Sequence, residues 1–149
     1  MKRLIKKSKL TDDGFETKNL SAGFSQTPEY ALNILRNNIE GNNLIVYHGT
    51  LLEYVDNIMN NGITGDEGSP IASYGPAFST KRGQAINFAI DRKKIYGDKN
   101  SKIVLLTIAI PQNKWYKIKQ NVSDYAYQYG EYGEIIPSGW IINQEIITQ

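Results

Sequence analysis

The sequence predicts a single α+β domain. Apolar residues recur at helical spacing in three stretches between Thr27 and Ile90, and β-branched apolar runs dominate after Lys102. The two classes are segregated along the chain, which argues against alternating βαβ units. A chain of 149 residues buries about two-thirds of the surface its unfolded form exposes, so one hydrophobic core suffices. No internal repeat or low-complexity tract interrupts the pattern.

Residues 1–26 are polar and lack periodicity, with five basic residues among the first nine, and read as a basic N-terminal arm ahead of a domain spanning 27–149. Thr27-Pro28-Glu29 supplies a capping hydroxyl and a proline for the first helical position, and Ala31, Ile34, Leu35 and Ile39 continue at helical spacing. Leu44 to Tyr47 suits a short buried strand, bounded by Gly41-Asn42-Asn43 and by His48-Gly49, which sets the histidine at the strand end. Thr50 and Glu53 fit a capping box for a helix over Leu51–Asn61, and Gly62 supplies its left-handed stop. Thr64 to Pro76 is rich in Gly, Pro, Ser and Asp and reads as a functional loop. Another helix follows Ser79-Thr80, with Ala85, Ile86, Ala89 and Ile90 on one face and Phe88 beside them. Ile103–Ile110 is a strand ended by Pro111, and Trp115–Ile118, Glu134–Ile136 and Trp140–Ile142 are shorter strand candidates. Gln120 to Tyr132 reads as a loop carrying Tyr125, Tyr127, Tyr129 and Tyr132.

Composition excludes several chemistries. Cysteine is absent and histidine occurs once, so disulfides and thiolate metal centres are ruled out and no metal is expected. A net charge of +2 is too slight to argue for nucleic-acid binding by the whole surface. There is no phosphate-cradling Gly-Lys-Ser/Thr loop, no Gly-x-Gly-x-x-Gly and no His-rich metal pattern, which argues against kinase, Rossmann dehydrogenase and zinc hydrolase, and without Gly-x-Ser-x-Gly a serine triad could be built only through His48. No apolar run has the length of a signal peptide core or a membrane span, so the chain is expected to be made as a cytoplasmic protein, with leaderless delivery into a target cell left open.

Three blocks carry the functional expectation. Val46 to Ile63, VYHGTLLEYVDNIMNNGI, is followed by Gly75-Pro76-Ala77-Phe78-Ser79-Thr80 with Asn87-Phe88-Ala89, and then by Tyr132-Gly133-Glu134-Ile135-Ile136. In order and spacing these blocks resemble the diphtheria toxin-like ADP-ribosyltransferases of the His-Tyr-Glu class. The resemblance covers some 40 of the 149 residues, and only the first block is specific alone. It implies the ADP-ribosyltransferase fold, a split antiparallel β-sandwich with flanking helices, and NAD as substrate. It assigns the catalytic carboxylate to Glu134, and the NAD site to His48, Gly49, Thr50, Phe78, Ser79 and Phe88. Both usual tyrosines of the motif are phenylalanine here, and Tyr74 and Glu131 stand as alternatives to Phe78 and Glu134.

The chemistry explains why such residues occur together. NAD cleavage passes through an oxocarbenium-like ribose, which a nearby carboxylate stabilises. Nicotinamide is a flat cation until it leaves, so aromatic faces grip it. Gly49 would offer backbone groups to the carboxamide, and His48 would hold a ribose hydroxyl rather than move protons. The implied function is mono-ADP-ribosylation of a macromolecule, a protein in preference to a nucleic acid, by a monomeric bacterial or phage toxin or effector. NAD hydrolysis, a non-catalytic NAD or ADP-ribose-binding module, and an RNA phosphate-removing transferase of related fold are the alternatives. Tyr127 and Tyr129 are expected to be exposed and to face the acceptor.

Overall fold

Two apolar runs that pair along their full lengths form the centre of the protein. The computed structural model describes residues 23–24, 26–65, 75–123 and 126–148. Strand β2 (Asn43–Leu51) pairs antiparallel with β5 (Ile103–Pro111) at all nine positions, from Asn43 opposite Pro111 to Leu51 opposite Ile103. Around them lie β1 (Ile39–Glu40), β4 (Ala77–Ser79), β6 (Ile118–Ser123), β7 (Ala126–Tyr129) and β9 (Ile141–Ile147), giving a seven-stranded sheet in the order β6-β7-β4-β2-β5-β9 with β1 paired to β2. Every pairing is antiparallel. A second sheet joins β3 (Ile63–Thr64) to β8 (Ile135–Ile136). The fold is therefore mixed α+β on an antiparallel sheet. The seven strands are joined into one sheet across β2 and β4 by a single residue pair, Tyr47 opposite Ser79.

The period-2 alternation of the central strands divides the structure into two layers. Leu44 and Val46 face the same side as their partners Ile110 and Ile108, and all four are sealed in the main core with Leu35, Trp115 and Tyr127. Leu51 and Ile103 face the other side, where helix α3 (Arg82–Tyr96) covers the sheet through Ala89. Helices α1 (Glu29–Arg36) and α2 (Leu52–Asn61) bury Leu32, Leu35, Val55 and Ile58 in the main core. Small side chains at Ala85 and Ala89 let α3 lie close to β2. The approach is so close that a Cβ on Gly49 would sit 2.0 Å from the Ala85 carbonyl oxygen. Gly49 is thus a packing requirement of the helix–sheet contact, a role the sequence reading does not assign to it.

Several local expectations are corrected. β2 runs on to Leu51, so His48 lies inside a strand instead of at its end. The capping box does not form: Leu51 is the N-cap of α2 and makes no side-chain capping bond. The Thr27 hydroxyl donates to the Ile118 carbonyl at 3.4 Å, leaving Pro28 as the uncapped start of α1, and Ile39 belongs to β1. Trp115–Ile118 is mostly a 3-10 turn (Gln112–Lys117), which lets the buried Trp115 indole donate to the Ile110 carbonyl at 2.8 Å. Gln120–Tyr132 is no loop, since it holds the end of β6 and all of β7. Phe24 is buried and stacks on Trp115 at 4.6 Å, so the packed domain begins before Thr27. Residues 1–22 and 25 of the N-terminal arm, residues 66–74 with Tyr74, and Tyr125 lie outside the described residues.

Candidate functional site

His48 stands where β2 and β4 part. The two strands share one paired position, Tyr47 opposite Ser79, and the His48 ring reaches past it to donate from Nδ1 to the Ala77 carbonyl, 2.7 Å away. A carbonyl only accepts, so the proton sits on Nδ1 and Nε2 keeps its lone pair. The ring is partly exposed at the surface but closely surrounded by protein, and its pKa is lowered to about 4. Burial is the main cause, opposed by the Ala77 hydrogen bond and reinforced by the charge of Arg92. At neutral pH His48 is a fixed hydrogen-bond acceptor, with the chemistry of an orienting group and not of a general acid.

This depression has a testable consequence. Between pH 6.5 and about 4 the unfolded chain takes up a proton at His48 that the folded chain refuses, so this contribution to stability is complete above pH 6.5 and is lost as pH falls through that window. Because the chain has one histidine, its ring proton resonances report the titration directly. They are expected to stay flat from about pH 8 down to about 5.5. A midpoint near the ordinary histidine value would overturn the assigned environment.

Two cavities meet at this histidine. One, of about 230 Å³, lies on the α3 side and is walled by Tyr47, Gly49, Phe78 and Phe88 together with His48 and Arg92. The other, of about 190 Å³, lies toward α2 and is walled by Thr50, Tyr54, Asn57 and the Gly62–Gly65 segment, again with His48 and Arg92. Jointly they fall within the range of small-molecule sites, about 300–1000 Å³. The first is aromatic and the second offers hydroxyl and amide groups.

Of the residues assigned from sequence, His48, Gly49, Phe78 and Phe88 come together in the aromatic cavity, and Thr50 lines the adjoining one. Phe88 is 41% exposed, with its ring free to meet a ligand. Phe78 is buried, its ring stacked on Tyr127 at 5.8 Å, so one of its faces is already occupied. Ser79 is fully buried and serves the fold: its hydroxyl donates to the Gln84 side chain at 2.5 Å and accepts from the Lys81 backbone N–H at 3.0 Å, tying down the start of α3. Nothing in that arrangement turns Ser79 toward a ligand.

Glu134 lines neither cavity. It follows a turn with left-handed glycines at 130 and 133, and a Cβ on Gly130 would meet the Glu134 side chain at 2.5 Å. The next residue, Ile135, pairs with Thr64, a residue of the polar cavity wall, so Glu134 lies one position beyond that strand pair. Its carboxylate accepts from Lys117 Nζ at 2.9 Å, and this hydrogen bond is the main reason the Lys117 pKa is raised. Glu131 is more exposed and pairs with Lys119. The two acidic candidates are thus held on neighbouring lysines of one surface.

Among the described residues of the tyrosine-rich segment, Tyr127 and Tyr129 are buried in β7, contrary to the sequence expectation, and Tyr132 is exposed. Tyr129 packs edge-on against Trp140 at 5.5 Å. Sequence reading also missed Arg92 and Tyr96, which lie four and eight residues after Phe88 on one face of α3 and wall the aromatic cavity with it. That spacing was readable, but a charged residue on such a face resembles ordinary solvated helix surface.

Fold and site together define an α+β domain on an antiparallel sheet, with two adjoining cavities that share His48 and Arg92 where β2 and β4 diverge. No family model matches the chain, and no curated protein matches it. Among the described residues no group of three or more His, Cys, Asp or Glu is placed to hold a metal ion, and no helix is long and apolar enough to cross a membrane.

Proposed function

We propose that this protein is an NAD-dependent mono-ADP-ribosyltransferase, a toxin or effector that transfers ADP-ribose from NAD to a macromolecule and releases nicotinamide. The observation that carries the reading is the convergence of His48, Gly49, Phe78 and Phe88, drawn from two sequence blocks about 30 residues apart, on one aromatic cavity. In this reading nicotinamide lies against Phe88, and the neutral His48 accepts a hydrogen bond from a ribose hydroxyl through Nε2. Glu134 supplies the carboxylate whose charge stabilises the oxocarbenium-like carbon as the bond to nicotinamide breaks. The bond that forms joins that carbon to the acceptor nucleophile.

Cell extract incubated with the protein and with NAD labelled in its adenylate half tests the transfer. Label is expected on protease-sensitive material, absent when Glu134→Gln replaces the wild type. Free ADP-ribose without macromolecular label would make water the acceptor and the enzyme an NAD hydrolase. Protease-resistant, nuclease-sensitive label would move the acceptor class from protein to nucleic acid.

A further inference from the structure

We propose that Arg92 is the diphosphate anchor of the cleft, gripping the anionic bridge of a dinucleotide whose two halves occupy the two chambers. Arg92 and His48 are the two side chains common to both cavity walls, so Arg92 borders both chambers. The chambers differ in the way the halves of such a ligand differ, one aromatic with Tyr47 and Phe88, the other lined by Thr50, Asn57 and Thr64. An anionic linker joining the two halves completes the match.

The state of the guanidinium supports this assignment. It is partly buried and lies over the Tyr96 ring with Cζ 5.7 Å from the centroid, a cation–π contact that takes up none of its N–H donors. Among the described residues it makes no ion pair; Asp91, beside it in the chain, lines the aromatic chamber but is not bonded to it. Diphosphate oxygens match the fork of donors that arginine presents, and a partly desolvated guanidinium binds them more strongly than one in open water.

The inference rests on the dinucleotide reading of the cleft, and calorimetry with four ligands separates the two. In Arg92→Gln, affinity for NAD and for ADP-ribose is expected to fall at least about tenfold, while nicotinamide riboside, which lacks the diphosphate, changes by less than about twofold. Arg92→Lys should recover part of the loss, and thermal melts of both variants establish that the fold is intact. If NAD and ADP-ribose weaken no more than nicotinamide riboside, Arg92 is not the anchor although the NAD reading survives. If ADP and ADP-ribose bind through Arg92 and NAD does not bind, the anchor stands and the NAD reading fails. Wild-type protein that binds none of the four overturns both.

Discussion

Glu134→Gln is expected to cut nicotinamide release from NAD at least about a hundredfold while leaving fold and NAD binding intact, the scale on which removing one electrostatic partner of a transition state is felt. The side chain is replaced by one of equal shape, so the Gly130 contact that shapes its turn is preserved. The ion pair with Lys117 is only partly buried and lies outside the main core, so its loss leaves the core untouched. What glutamine cannot supply is negative charge beside a ribose that becomes cationic as nicotinamide departs. Glu131→Gln is the control, since its carboxylate points into a separate exposed pair with Lys119. Normal turnover in Glu134→Gln together with loss in Glu131→Gln would transfer the catalytic assignment to Glu131.

Tyr127→Ala is expected to destabilise the protein by about 3–5 kcal/mol, the cost of emptying a large aromatic site in a core. Tyr127 has no exposed surface, pairs with Phe78 across β4 and β7, and stacks on its ring. The cavity left behind would sit directly beneath Phe78, so the aromatic chamber is expected to loosen as the core does. Tyr132→Ala, at an exposed turn position, should change stability by less than about 0.5 kcal/mol. Denaturant unfolding of the two variants checks both values. Equal stability of Tyr127→Ala and wild type would contradict the packing described for β7.

These two residues also mark where sequence reading succeeded and failed. β5, α2 and α3 were legible because an unbroken β-branched run and repeating apolar faces are direct consequences of burial on two sides or on one. β7 was hidden because Ala126-Tyr127-Gln128-Tyr129 looks amphiphilic, yet all four residues are buried, with the Gln128 amide donating to the Gly130 carbonyl at 2.8 Å. Tyrosine and glutamine signal surface only when no internal partner is available, and the partner here is set by a turn that no local pattern announces. Ser79 misled in the opposite way. A hydroxyl next to a candidate site suggested a ligand contact, and the structure spends it on holding the start of α3. His48 and Phe88 come together because β2 and α3 cross where Gly49 meets Ala85 and Ala89, and close crossings of this kind join residues 40 positions apart without leaving a periodic trace.

The account turns on the cleft holding and cleaving NAD. The most direct measurement is chromatographic quantification of free nicotinamide after the purified wild-type protein is incubated with NAD labelled in the nicotinamide ring, alongside Glu134→Gln at the same concentration. The expected result is nicotinamide that accumulates with wild type well above the enzyme-free rate and is nearly absent with the variant. NAD that remains intact with folded wild-type protein, under conditions where calorimetry shows it bound, would contradict the enzymatic reading and leave the cleft a binding site without chemistry.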